Sequence, residues 1–228
     1  MTNNENEIYE RQRELDVNPP NKATVIGVGG VGSWVALDLA LAGVDKLYLA
    51  DHDGIEKHNL NRTPFKQSQI GMDKTQAVVE LISERRMDAE VIPITKRIED
   101  TTGAFRDEMS DSVVVDCRDH ASELPNDISE NVLLTAGYDG MEFTLHVKPD
   151  YESIWGDEET EYETVPSFVA PPQFLASLVT VIASTPSMAE RLEEQIKSGN
   201  IRDLILGLVE QEHLYSDEDD SEEVEDDE

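Results

Sequence analysis

Cysteine is nearly absent from the 228-residue chain. Cys117 stands alone, which excludes an intramolecular disulfide and any multi-cysteine zinc site within this chain. Positive charge is scarce too, with eighteen Lys and Arg against fifty Asp and Glu and a net charge of −32. Nucleic-acid backbones and anionic lipid surfaces both demand dense cations, so neither is an expected partner. No apolar run approaches the roughly 20 residues that span a bilayer. The opening residues, MTNNENEIYERQRELDV, lack both the basic and the apolar regions of a secretory leader. A soluble, cytoplasmic protein is expected. At 38%, apolar residues are few but sufficient for one core at this length.

The acid is not confined to one place. Residues 216–228 hold ten acids and no base, a density that keeps a chain solvated rather than folded. The remaining 215 residues still carry forty acids against eighteen bases, a charge of −22. Adaptation to a salt-rich cytoplasm accounts for this, because screening relieves the self-repulsion. A basic partner would account for it as well.

The pattern of apolar residues predicts an alternation of strands and helices. Lys22–Gly27 is a short apolar run ending in glycine, and Lys46–Ala50 is a second such run. Between them, Val31–Gly43 has helical spacing and a glycine stop. Strand, glycine turn, helix and strand make a βαβ unit. Further on, Asp73–Met87 predicts a helix, Glu90–Ile94 a strand, Thr102–Met109 a short helix and Ser112–Asp116 a fourth strand. Asn131–Thr135 and Met141–Val147 complete the sheet. Pro149–Pro166 is acidic and patternless, an expected crossing loop, and three helices are expected over Phe168–Ser184, Pro186–Lys197 and Ile201–His213. The fold class is therefore α/β: an open, Rossmann-like, mostly parallel sheet with helices on both faces and antiparallel strands near the C-terminal edge. The expected organisation is an N-terminal arm over 1–19, a nucleotide-binding domain over 20–185, a helical extension over 186–215 and an acidic tail.

The turn after the first strand reads Gly27-Val28-Gly29-Gly30-Val31-Gly32. Gly27 permits the tight turn, Gly29 and Gly30 let backbone N–H groups approach phosphates, and Gly32 lets helix touch strand. Asp51 closes the second strand, where an acid holds ribose hydroxyls. NAD and ATP enzymes share this beginning. The next loop separates them: Asn59-Leu60-Asn61-Arg62 and then Lys74 supply the cations that a triphosphate demands and a dinucleotide does not. Asp119, just past the fourth strand, is placed to hold Mg²⁺ by one carboxylate. Asp53 suits either a turn or a site role.

Gly27–Gly32, Asp51-x-Asp53, Asn59-Leu60-x-Arg62, Ile70-Gly71-x-x-Lys74 and Asp116-Cys117-x-Asp119 occur in the order and approximate spacing of the ThiF/MoeB/ubiquitin-activating superfamily. The chain resembles that family over about 20–147, and more loosely over Phe168–Ser184. Tyr9-Glu10-Arg11-Gln12 is similar to its N-terminal Y-x-R-Q helix. The resemblance implies ATP and Mg²⁺ as cofactors, with Asp51 on the ribose, Asn59, Arg62 and Lys74 on the phosphates and Asp119 on Mg²⁺. It also implies a homodimer in which Arg11 reaches the partner's nucleotide. The implied reaction is adenylation of a carboxylate, usually the C-terminal glycine of a ubiquitin-like or sulfur-carrier protein.

Two departures qualify the resemblance. No cysteine follows residue 117, so the thioester step of ubiquitin-activating members has no nucleophile; Cys117 itself follows a buried strand and reads as a small core residue. The stretch His120–Glu130 is shorter than the family's helix, and Pro125 interrupts it. Adenylation with handover to another protein is the expectation. The rivals are a nucleotide-binding scaffold without turnover, an NAD-dependent oxidoreductase, and a relative acting on a tRNA-linked carboxylate, against which the acidity counts. Trp34 is expected in the core and His52, His58 and His120 at loops, while Trp155 sits in the acidic loop.

Overall fold

The computed structural model describes residues 8–12, 14–119, 124–148, 166–192 and 196–207. The expected crossing loop with Trp155, His120 and the acidic tail lie outside these residues. A seven-stranded sheet runs in the order β3-β2-β1-β4-β5-β6-β7. The strands are β1 (Lys22–Ile26), β2 (Lys46–Ala50), β3 (Glu90–Ile94), β4 (Val113–Asp116), β5 (Val132–Asp139), β6 (Glu142–Val147) and β7 (Ile196–Asn200). The first five are parallel; β6 and β7 are antiparallel to their neighbours.

Register is what builds the site. Ile26 lies level with Ala50 and Asp116, Ala50 with Ile94, and Asp116 with Thr135. The carboxyl ends of four strands therefore form one row, and whatever follows them in sequence projects from one edge. The order 3-2-1-4 puts a switch point between β1 and β4, where chains leave in opposite directions and open a crevice.

Helix α1 (Gly30–Ala42) carries apolar residues on nearly every side, because it is buried against the sheet, α2 (Lys74–Ser83) and α5 (Ala170–Ala183). It ends at Gly43, whose φ of 117° is the left-handed region that glycine enters without strain. The Val44 N–H donates to the Leu39 carbonyl at 3.0 Å, closing the helix end. On the other sheet face, α3 (Gly103–Asp107) and α4 (Asn126–Ser129) cover a smaller core of Ile26, Tyr48, Ile98, Met109, Ile128 and Val132.

Three expectations need correction. The helix predicted over Asp73–Met87 stops at Ser83. Beyond it the chain turns so that Arg86, 2% exposed, donates to the Ala40 carbonyl at 2.7 Å and to Tyr9, and pairs with Asp88 at 2.8 Å. That guanidinium satisfies the end of α1, where a cation also meets the negative helix pole. The helix predicted over Pro186–Lys197 is α6 (Pro186–Arg191) only; Ile196–Asn200 is a strand added to β6. The 186–215 segment is thus not wholly helical. Finally, Asn131–Thr135 extends to Asp139, because β5 and β6 form a hairpin turning at Gly140, which has φ 59°.

Candidate functional site

A cavity of about 1030 Å³ opens along the row of strand ends. Its wall includes Gly27, Gly29, Gly30, Asp51, Asp53, Asn59, Arg62, Lys74 and Asp119. These are all the residues singled out in the sequence except Gly32 and Arg11. Gly32 acts beneath the cavity: a Cβ there would fall 1.8 Å from the Gly27 carbonyl oxygen, so α1 can approach β1 only with glycine at this place. At Gly27, with φ 81°, a Cβ would fall 2.8 Å from the backbone of Cys117 and Arg118. Among the described residues, nothing stands within 4 Å of where the Cβ of Gly29 would be. The turn thus combines a packed underside with an accessible upper side, which is what backbone N–H groups need in order to face a phosphate.

Asp51 is mostly buried, its side chain 8% exposed. One of its oxygens accepts the Val28 N–H at 2.7 Å and the other the Asp53 N–H at 2.8 Å. The same carboxylate therefore shapes the glycine turn and faces the cavity with its remaining lone pairs. Lys74, at the start of α2, donates to Asp53 Oδ2 at 2.7 Å and lies 3.9 Å from Asp51 Oδ1. Burial would raise the Asp53 carboxyl, but the hydrogen bond and charge of Lys74, with His52 and Arg97 adding to them, outweigh it and hold it below the usual carboxylate range. Asp51, His52 and Asp53 also offer three ligand atoms within 4.8 Å of one another, with Lys74 already among them.

Asn59 is buried, and its side-chain oxygen accepts the Glu56 N–H at 2.8 Å, ordering the 3-10 turn Lys57–Asn61. The Arg62 guanidinium is folded onto that turn, donating to the His58 carbonyl at 2.6 Å and to Asn61 Oδ1 at 3.2 Å. Trp34 holds the turn from below: it packs on the core, as expected, and its indole N–H donates to the Arg62 carbonyl at 3.0 Å. Lys66 is exposed and pairs with Glu84, away from the cavity. Asp119 is exposed at the cavity wall beyond β4.

Arg11 lies elsewhere. Its segment docks at the far end of α1, where Gln12 donates to the Ala42 carbonyl at 2.9 Å and Tyr9 meets Arg86. Thirteen helical residues at 1.5 Å each place that end about 20 Å from the glycine turn. Arg11 is exposed and is not part of its own chain's cavity.

Several lining residues escaped the sequence reading. Lys96 and Arg97 follow β3, and the rule that singled out Asp51 and Asp119 at strand ends applies equally to them. Arg118, between Cys117 and Asp119, is 8% exposed and grips the fully buried Asp116 through Nε at 3.0 Å and Nη2 at 2.9 Å, with Glu99 at 2.8 Å from Nη1. The Tyr138 hydroxyl bonds Ser167 Oγ beside Gly30, and Asn61 donates to the Ser167 carbonyl at 3.0 Å. These contacts depend on tertiary pairing, and only the strand-end rule could have found any of them. Cys117 borders the cavity, but burial and the neighbouring Asp116 push its thiol far above the ordinary cysteine range.

A model of the ThiF family matches residues 16–185. The chain belongs to the ThiF family. Among curated relatives, ubiquitin-like modifier-activating enzyme 5 of Arabidopsis thaliana is 38% identical over 95 residues, 42% of this chain and 21% of that protein. The Caenorhabditis elegans enzyme of the same name is 39% identical over 83 residues, 36% of this chain and 18% of that one. The matched part is thus about a fifth of these relatives' length. Among solved structures, PaaA covers 88% of this chain and 75% of its own at 17% identity and a TM-score of 0.64. MccB of E. coli covers 88% and 71% at 19% identity and a TM-score of 0.60. At such identity the likeness is one of fold. Among the described residues of this ThiF-family chain, no helix is long and apolar enough to cross a membrane.

Proposed function

We propose that this chain adenylates the terminal carboxylate of a protein or peptide at the expense of ATP, in the cytoplasm. The observation that carries the reading is the convergence of glycine turn, buried acid and cations on one cavity. Relatives are named as activating enzymes for ubiquitin-like modifiers, and MccB has been solved with ATP and with MccA.

The residues suit a triphosphate. Gly29 leaves room for phosphate oxygens at the start of α1, whose dipole favours an anion, whereas Gly30 is the residue that lets the Tyr138 ring lie against the turn, since a Cβ there would fall 2.7 Å from its hydroxyl. Asp51 accepts from ribose hydroxyls while keeping its two backbone donors. Lys74 is held by Asp53 beside the cavity, ready to exchange part of that pairing for phosphate oxygen. Arg62 would reach the phosphates by unfolding from its own turn, Asn59 fixes that turn, and Asp119 is the carboxylate that would hold Mg²⁺. When bound, Mg²⁺ supplies neutralisation of the charge on the departing pyrophosphate.

The step itself needs no general base, since a carboxylate is already a nucleophile at neutral pH. Its oxygen bonds to the α-phosphorus, the bond to the bridging oxygen breaks, and pyrophosphate leaves with the electron pair. Alignment and charge neutralisation do the rest, each such contact being worth about 3–4 kcal/mol of barrier. No cysteine follows residue 117, and the Cys117 thiol resists ionisation. The acyl-adenylate then passes to another protein rather than to a thioester on this chain. A homodimer with Arg11 acting across the interface completes the proposal, since within one chain Arg11 sits at the wrong end of α1.

The test is ATP–pyrophosphate exchange with small carrier proteins ending in Gly-Gly. Exchange that vanishes in a folded Asp119→Ala variant supports the proposal. Tight ATP binding with no exchange for any carboxylate refutes turnover. Mixed dimers of Arg11→Ala and Arg62→Ala regain activity only if Arg11 serves its partner.

A further inference from the structure

Two buried polar side chains at the cavity take no part in the adenylation step. Thr135 of β5 and His146 of β6 lie directly opposite each other, 3% and 7% exposed, and both line the cavity. Opposed residues of an antiparallel pair share one face of the sheet, with Cα atoms about 5 Å apart. The Thr135 hydroxyl has no hydrogen-bond partner among the described residues. Burial alone acts on the His146 imidazole, with no hydrogen bond or charge of the described residues offsetting it. Buried polar groups without partners are costly, and two of them side by side mark a place where a ligand's polar group belongs.

The pair stands at the row of strand ends. Thr135 is level with Asp116, which is level with Ile26 below the glycine turn. The surroundings leave the imidazole neutral. On its own face, Thr144 and Ser198 are uncharged, and Asp139 and Glu142 stand at the far end of the hairpin. Lys197 of β7 points to the reverse face by strand alternation, and α5, which packs there, carries no charged residue. Arg118, Asp119 and Asp203 are charged groups of the cavity wall on segments outside the hairpin. Burial therefore sets the imidazole below its usual range, and at neutral pH its ring carries a free lone pair.

We propose that His146 is the general base of a second step at this cavity, in which the acyl-adenylate passes directly to an amine of another protein and forms an amide. The proposed step rests on the adenylation reading and adds the acceptor's chemical class to it. The amine nitrogen bonds to the acyl carbon, which makes its N–H acidic, and that proton moves to the unprotonated ring nitrogen of His146. The bond from acyl carbon to phosphate oxygen breaks, and AMP leaves with the electron pair. Thr135 accepts the amine's other N–H. Two observations select an amine over a thiol. A thiol, with a pKa of about 8.5, ionises unaided near neutral pH, whereas an amine must shed its proton during the step and so needs a base. A chain of net charge −32 also attracts an ammonium group and repels a thiolate.

Single-turnover transfer by the full-length chain from synthetic N-acetylglycylglycyl adenylate, without ATP, tests this. The acceptors are Nα-acetyl-lysine methylamide and, separately, the thiol N-acetylcysteamine, with products read by mass spectrometry. Wild type should form the amide at least about 100-fold faster than His146→Gln, the lower range of general-base catalysis. Thr135→Val should lose about tenfold, one hydrogen bond. Thioester formation should be equal in wild type and His146→Gln, because a thiolate needs no base. In wild type alone, between pH 5 and 8, the logarithm of the amide rate should rise with slope two where both imidazole and amine lose protons. The slope should fall to one above the imidazole's depressed value, at a bend below about pH 6.5. This profile needs no variant to fold. No amide above the uncatalysed rate, equal amide rates in wild type and His146→Gln, an equal loss with both acceptors, or one slope throughout would overturn the inference. Amide formation without ATP–pyrophosphate exchange would remove only the adenylation reading. Exchange without amide formation that depends on His146 would remove only this one.

Discussion

The strands β3-β2-β1-β4 and the hairpin β5-β6 with β7 open on the same cavity, yet they meet it with different chemistry. The first group ends in loops that begin with glycine or a charged pair: Gly27, Asp51, Lys96-Arg97, Arg118-Asp119. Its side chains are nearly all engaged, Asp51 with two N–H groups, Lys74 with Asp53, Arg118 with Asp116 and Glu99. The second group offers a strand face rather than loops, and there the Thr135 hydroxyl has no hydrogen-bond partner among the described residues and two acids face each other. A preorganised end suits the invariable part of a reaction, the nucleotide. An end left unsatisfied suits the part that varies between substrates. The comparison places the charged, mutually engaged side chains in the loops and a polar strand face in the hairpin.

The strongest way to break that contrast is to remove Lys74. Lys74→Ala should lower pyrophosphate exchange by a factor of 10²–10³, about 3–4 kcal/mol of barrier, with Lys74→Arg retaining part of it. The same substitution should alter the acid limb of unfolding. The Asp53 carboxyl titrates below its ordinary value in the fold. Its contribution is therefore present at neutral pH and lost as pH falls through the depressed value. Thermal melts between pH 7 and pH 3 should fall less steeply in Lys74→Ala. An unchanged slope would mean that the pair does not hold the loop.

Two glycines of the turn separate packing from binding. Gly32→Ala puts a methyl group 1.8 Å from the Gly27 carbonyl, so helix or strand must move. The expected cost is about 3 kcal/mol, the upper range of overpacking, read by urea unfolding. Gly29→Ala meets nothing within 4 Å among the described residues and should change stability by less than about 0.5 kcal/mol while weakening ATP binding. Equal stability of the two variants would contradict the assignment of Gly32 to helix–strand contact.

A smaller effect is expected on the outer side of α1. Burial raises the Asp38 carboxyl to about 6. The folded chain then holds that proton more tightly than the unfolded one between about pH 4 and 6, and stability falls as pH rises through this window. Asp38→Asn should remove the fall and add about 1–2 kcal/mol at pH 7, allowing for solvent around a half-exposed group. A less stable variant would show that the ionised carboxylate has a partner.

The same contrast explains how much could be read before the structure. Lys46–Ala50 and Glu90–Ile94 are strands with the expected bounds, because short apolar runs flanked by turn residues are local signals. Gly27–Gly32, Asp51 and Asp119 were legible because strand ends in a parallel sheet share one edge. In β7, Ile-Lys-Ser-Gly-Asn has one apolar residue and no alternation, and becomes a strand only by pairing with β6. Helix α2 was read too long because the signal that ends it is Arg86 turning in to meet α1, a contact between residues 46 apart. The burial of Thr135 and the facing acids of the hairpin depend on register, which spacing alone does not give.

The central claim is that the crevice at the glycine turn takes a triphosphate. Calorimetric titration of the full-length chain with ATP and, separately, with NAD⁺, in the presence of Mg²⁺, tests it most directly. The account predicts saturable ATP binding that is lost in Lys74→Ala and negligible binding of NAD⁺. Saturable NAD⁺ binding that survives Lys74→Ala, with none for ATP, would contradict it.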